Sequence, residues 1–252
     1  MRLVAFYEAP ADFAITRDLV DRVLREHAPG WVAEQLDDTP DAVRTWVEDA
    51  EDREFFDLHH YDAYVRSLGV RVPHGSFDGR RSPGDLMALT IFHVVRRLGQ
   101  LGEPIDAVLL VWDMDKQPKG RARGLVAARN QAASWASFAI VLGCPNAMRE
   151  AWVLAGFEPE DDDEHERLQA LRRELGFAPH EHSARLDAAS EQAKLSAKRV
   201  LAALTGDDRE RERRCWAETP LDTLARRGDA NGLRQFLDEV KARIVPLCQG
   251  RR

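Results

Sequence analysis

The sequence predicts an α/β fold: a mostly parallel sheet of about four strands flanked by helices, followed by an all-helical C-terminal extension. Three observations predict it. Two runs, Ile105–Trp112 and Phe138–Leu142, are dominated by apolar residues and show no polar alternation, as strands covered on both faces do. Segments of helical period stand before, between and after them, the order that builds parallel sheets. Beyond Glu158 the strand patterns stop and only helical ones continue.

The elements follow in order. Leu3–Tyr7 is a short apolar strand, and Ile15, Leu19, Val20, Val23 and Leu24 then share one face of a helix. Thr39-Pro40 is a helix start, a capping residue followed by Pro in the first turn, and the spacing carries that helix to about Phe56. Val70–Val72 is the fourth strand candidate. Ser82-Pro83 repeats the start signal for a helix reaching Gly99. Strand 105–112 is broken by Lys116–Gly120, after which Leu125, Ala128 and Ala132 mark a helix. Strand 138–142 leads through Gly143-Cys144-Pro145 to a helix over Asn146–Ala155. Glu158–Glu166 holds seven acids and no Lys or Arg, and reads as a solvated linker. Helices are expected over 164–175, 187–204, 220–228 and 230–247.

Composition bounds the function classes. The chain has 252 residues, 44% hydrophobic and 31% charged, enough to bury a core without disulfide or metal support. No apolar run reaches the roughly 18–20 residues of a membrane helix. The N-terminus carries no cleavable signal pattern, so a cytoplasmic location is expected. Three widely spaced cysteines argue against a disulfide framework. A net charge of −7 speaks against a simple basic nucleic-acid coat.

Chemistry concentrates on acids at strand ends. Asp113-Met114-Asp115 ends the central strand, where open α/β sheets bind ligands, and residues two apart in an extended segment face one side. Two carboxylates suit a hard cation such as Mg²⁺; the alternative is a plain strand end. Glu8 ends the first strand, with Asp12 one helical turn on, so both meet the Asp113 cluster if the two strands are neighbours. Asp12 alone is also explained by the helix dipole. Glu150 either joins the cluster or lies on a solvated helix face beside Arg149. Lys119, Arg121, Arg123 and Arg129 follow the Asp-x-Asp segment and either contact phosphates or form a solvated face.

The order strand, Glu8, apolar strand, Asp113-x-Asp115 resembles the Toprim fold of topoisomerases, bacterial primases and nucleases of the overcoming-lysogenization-defect type. Glu8-x-x-x-Asp12 looks like the first acidic motif of the nuclease branch. Glu150-Ala151-Trp152-Val153-Leu154-Ala155 resembles a signature of compact stand-alone Toprim-like bacterial proteins. The match covers roughly residues 1–155, with weaker similarity around Lys198-Arg199-Val200-Leu201. Family members place Gly directly after the first acid, where this chain has Ala9-Pro10. The long interval from Asp12 to Asp113 implies an insertion over about 30–68.

The resemblance implies a Toprim/Rossmann-like domain over 1–157, a helical extension over 158–252, and a nuclease using one or two Mg²⁺ or Mn²⁺ ions. Asp113 and Asp115 would be the principal ligands, Glu8 a ligand or general base, and Asp12 and Glu150 would complete a second ion site. Lys116 and Lys198 would be candidates to neutralise transition-state charge in a chain with only five lysines. Nucleic acid, DNA ahead of RNA, would be the substrate. A separate ATPase partner and a role as effector of an anti-phage defence or toxin system follow from the same resemblance, and the Arg- and Leu-rich helical C-terminus could build a homodimer. Two other readings stand beside it: an Asp-x-Asp glycosyltransferase binding a nucleotide-sugar through Mn²⁺, and a catalytically degenerate Toprim-like interaction module.

Overall fold

The computed structural model describes residues 1–49, 51–71, 84–102, 104–114, 118–188 and 190–249. Within them the chain is α/β, with one parallel sheet made of β1 (Arg2–Tyr7), β2 (Thr45–Trp46), β3 (Phe56–Asp57), β4 (Ala107–Val111) and β5 (Ala139–Gly143). β1 pairs with β4, Phe6 opposite Leu110, and β4 pairs with β5, Leu110 opposite Leu142. On its other edge β1 takes β2 near its start and β3 at its end, where Tyr7 is opposite Asp57. The strands therefore end on one common edge.

Two core layers follow from the alternation of side chains along each strand. Leu3, Ala5 and Tyr7 of β1 and Ala107, Leu109 and Val111 of β4 face one layer. Val4, Phe6, Val108 and Leu110 face the other. The second layer is covered by α4 (Tyr61–Ser67), α5 (Asp85–Leu101) and α6 (Pro118–Ala132), through Val65, Leu89, Phe92 and Leu125. The first layer is covered by α1 (Pro10–His27), α7 (Glu150–Ala155) and the later helices. These are α8 (Asp162–Leu175), α9 (Ala197–Thr205), α10 (Arg209–Ala217), α11 (Leu221–Arg227), α12 (Leu233–Arg243) and α13 (Val245–Gln249). Residues 158–249 thus share one apolar core with α1 and one face of the sheet.

Polar ties lock that layer. Arg211 of α10 is buried and donates Nε to Glu164 Oε1 at 2.7 Å and Nη2 to Oε2 at 2.9 Å, while its guanidinium lies 4.7 Å from the Phe157 ring centroid. Arg214 makes a similar fork to Glu160, at 2.9 and 2.8 Å. Asn231 accepts the Trp152 indole proton on its carbonyl (2.9 Å) and donates its amide to the Ala151 carbonyl (2.8 Å), pinning α7 to the loop before α12. At Gly156 a Cβ would sit 1.9 Å from the Cys215 carbonyl oxygen, so α7 and α10 approach this closely only over a glycine.

Several sequence expectations need correction. The helix predicted from Pro40 to Phe56 ends at Val43 as α3 (Pro40–Val43), after α2 (Gly30–Asp38), and the chain then adds β2 and β3 to the sheet edge. Val70 and Arg71 form no strand, and Val72 lies outside the described residues. The acidic run is not a linker: Asp161 caps α8 by accepting from the Glu164 N–H at 2.7 Å, and Glu160 and Glu164 hold Arg214 and Arg211. Of the helix expected over 187–204, only α9 from Ala197 forms, capped by Ser196. No helix among the described residues is long and apolar enough to cross a membrane.

Candidate active site at the carboxyl edge of the sheet

Because β1, β4 and β5 are adjacent and parallel, the residues that follow them converge. Glu8 after β1, Asp12 in the first turn of α1, Asp113 after β4 and Glu150 at the start of α7 line a single cleft of about 290 Å³. Arg149, Lys198 and His59 complete its walls. Asp115 and Lys116 lie outside the described residues.

Local chemistry fixes each acid. Pro10 opens α1, where its missing N–H costs nothing, and Asp12 three residues into the helix accepts the Ala9 N–H at 3.0 Å. Asp12 thus has a structural duty as well as a place in the cleft. Glu8 Oε1 accepts the Trp112 indole N–H at 3.1 Å. The Trp112 ring is itself held: the Arg121 guanidinium lies 4.5 Å from its centroid, and Gly84 packs on its edge. A Cβ on Gly84 would stand 3.0 Å from that ring, and its φ of +82° is one that glycine adopts freely. Arg121 also donates to the Asp113 carbonyl oxygen. Asp113 Oδ1 accepts the backbone N–H of Arg149 at 3.1 Å.

Arg149 is the principal counter-charge. Its Nε lies 3.4 Å from Asp12 Oδ1 and its Nη2 donates to Glu150 Oε1 at 3.1 Å, so one residue touches three of the four acids. One guanidinium does not offset the crowding of acids, and two of them are held toward their protonated form. Burial pushes the Asp113 carboxyl up to about 8, helped by the charges of Asp12, Glu150 and Glu8 and opposed by Arg149. Burial likewise pushes Asp12 up to about 6, with Arg149 opposing and Glu150 and Glu8 adding. The Lys198 ammonium is pushed up by its hydrogen bond to Glu191 (2.9 Å), against burial, with Glu150 and Asp113 adding.

The basic residues expected to hold nucleic acid are placed differently from one another. Lys119 and Arg123 are exposed on α6, and Arg123 Nε donates to the Lys119 carbonyl at 3.0 Å. Arg121 is the Trp112 support. Arg129 is turned to α12, where it pairs with Glu239 at 2.6 Å, both side chains mostly buried. Arg149 is shared with a larger groove of about 780 Å³ between α1 and α10, whose walls carry Arg209 and Arg213 alongside Asp207, Glu210 and Glu212.

Two cleft residues escape sequence reasoning. Arg149 reads as a helix-face partner of Glu150, and no local signal aims it at Asp12. His59 lies in the region read as an insertion, and reaches the cleft only because β3 pairs with the end of β1.

The donor set is all carboxylate oxygen, which suits Mg²⁺ or Mn²⁺ in chemistry. Among the described residues no three Asp, Glu, His or Cys side chains are already grouped to hold an ion. Comparisons of this chain with protein-family models, curated proteins and solved structures return no match, so the site is read from its own residues.

Proposed function

We propose that the cleft hydrolyses phosphodiester bonds of nucleic acid, DNA ahead of RNA, as a nuclease dependent on Mg²⁺ or Mn²⁺. The observation that carries this reading is the convergence of acids so crowded that two of them are held toward their protonated form. Four carboxylates from three strand ends face one arginine and one lysine, and the Asp113 carboxyl is pushed up to about 8. Such a cluster gains from a cation of higher charge than one guanidinium supplies. Asp12, Asp113 and Glu150 would hold the ion, joined by Asp115, with Glu8 beside it as a further ligand or as the general base. When bound, the ion would supply Lewis-acid activation of water and charge stabilisation at the phosphorus.

The chain's own residues have separable tasks. Trp112 orients Glu8, which takes the proton of the attacking water. Arg149 and Lys198 offset negative charge that develops on the non-bridging oxygens. The groove beside the cleft gives a polymeric substrate a path past Arg149. The Toprim-like resemblance supports the same reading, and with it come the proposals of a separate ATPase partner and an anti-phage or toxin role; the proposal of a homodimer rests on the Arg- and Leu-rich helical C-terminus.

A second reading has its own observation. Arg149 bridges Asp12 and Glu150, which favours a degenerate Toprim-like module whose acids are permanently neutralised. A nucleotide-sugar site would use Asp113 and Asp115 and leave Glu8, Asp12 and Glu150 without a task. Cleavage of single- and double-stranded DNA and RNA by the purified chain with Mg²⁺ or Mn²⁺ tests the nuclease reading. Loss of cleavage in Asp113→Asn supports it, and equal cleavage by that variant contradicts it.

A further inference from the structure

Asp57 and His59 form a second device on the same edge of the sheet. β3 ends at Asp57, the register partner of Tyr7, so the turn that follows it runs beside Glu8. Asp57 Oδ1 accepts the backbone N–H of His59 at 2.8 Å and lies 3.0 Å from His59 Nδ1, and Oδ2 lies 3.5 Å from His60 Nδ1. A carboxylate at Nδ1 makes that nitrogen the donor and leaves Nε2 to meet a substrate. Of the two histidines, His59 lines the acid cleft, together with Glu8, Asp113 and Lys198. The other charged groups lining the cleft beside it are the four acids, Arg149 and Lys198. The 65% exposed His59 side chain packs no core, so the fold gives it no structural duty beyond the turn.

We propose that His59, oriented by Asp57, is the general acid that protonates the leaving oxygen in phosphodiester cleavage. This rests on the reading of the cleft as a phosphodiesterase. The water oxygen forms the new P–O bond and gives its proton to Glu8. The bond from phosphorus to the leaving sugar oxygen breaks, its electron pair passes to that oxygen, and the Nε2 proton of the His59 imidazolium is transferred to it. The neutral imidazole then takes a proton from solvent.

Two substrates with different leaving groups test this role on the full chain with Mn²⁺. An oligodeoxynucleotide releases a sugar alkoxide that needs a proton, whereas thymidine 5′-(p-nitrophenyl phosphate) releases a stabilised anion that does not. His59→Gln is expected to slow the oligonucleotide reaction by about 100-fold or more, the usual range for a general acid, while p-nitrophenol release stays at the wild-type rate. Asp57→Asn should show the same selectivity to a smaller degree. Equal losses on both substrates, or no loss on either, overturn the assignment while wild-type cleavage leaves the phosphodiesterase reading standing. A wild-type chain that cleaves neither substrate overturns that reading and the His59 role with it.

Discussion

The indole N–H of Trp112 donates to Glu8 Oε1 at 3.1 Å, so the residue following β4 sets the orientation of the acid following β1. Trp112→Phe keeps a six-membered aromatic ring beside Arg121 and removes the donor together with part of the indole that Gly84 meets. Losing such an outer partner of a ligand costs about 10-fold in metal affinity. Mn²⁺ affinity should fall by that factor with little change in Tm, as read by calorimetry and thermal melts. A large Tm loss with unchanged affinity would place Trp112 in packing alone.

Asp113 carries the pH dependence. Its carboxyl is pushed up to about 8, and Asp12 to about 6, so the folded chain binds more protons than the unfolded one between about pH 4, the unfolded carboxyl value, and about pH 8. Stability from these two groups is complete below that window and is lost as pH rises through it. Asp113→Asn imitates the protonated form at every pH. The variant should melt above the wild type by an amount that grows from pH 5 to pH 9, to several degrees. A difference that does not change with pH would remove the crowding of charge from the account.

Arg149 should be replaceable by a cation. Arg149→Gln leaves Asp12 and Glu150 without their nearest positive partner and is expected to lower Tm by several degrees in chelator at pH 8. Millimolar Mg²⁺ should recover most of that loss and raise the variant's Tm by more than it raises the wild type's, by linkage between binding and folding. Equal shifts in the two chains would separate Arg149 from any cation site.

The helical layer is tested at Arg211. Its side chain and that of Glu164 are both about 5% exposed and paired at 2.7 Å, so Arg211→Ala strands a buried carboxylate. Breaking one partner of a buried pair costs on the order of 3 kcal/mol or more. Because α10 packs on α7, which begins with Glu150, divalent affinity should fall together with stability. Arg211→Met restores apolar volume but leaves the Glu164 carboxylate unpaired, so urea unfolding and calorimetry should show stability and affinity returning together and only in part; affinity that stays low while stability recovers would contradict the coupling.

How much of this was legible in the sequence depends on how local each signal is. β4 and β5 are visible because both their faces are buried, which leaves predominantly apolar runs, and α5, α11 and α12 are visible from their period. β2 and β3 are two residues each and exist only as partners of β1, so Thr39-Pro40 followed by helical spacing outweighed them. The acids from Glu158 to Glu166 looked solvated because their partners, Arg211 and Arg214, stand about fifty residues later. Glu8, Asp12 and Asp113 could be placed together on the condition that β1 and β4 are neighbours, since parallel neighbours end on one edge, whereas the spacing around Glu150 fits a solvated helix face equally and only the resemblance brings it to the cluster. Arg149 and His59 could not be placed, because their places depend on tertiary pairing that no spacing records.

The central claim is that the acid cluster takes a divalent cation, and titration calorimetry of the intact chain with Mn²⁺ at pH 7.5 tests it most directly. Run in two buffers of different ionisation enthalpy, it should show saturable binding with release of up to one proton as Asp113 ionises, and Asp113→Asn should lose both the affinity and the proton. Absence of binding by the wild type, or identical binding and proton release by the variant, would contradict the account.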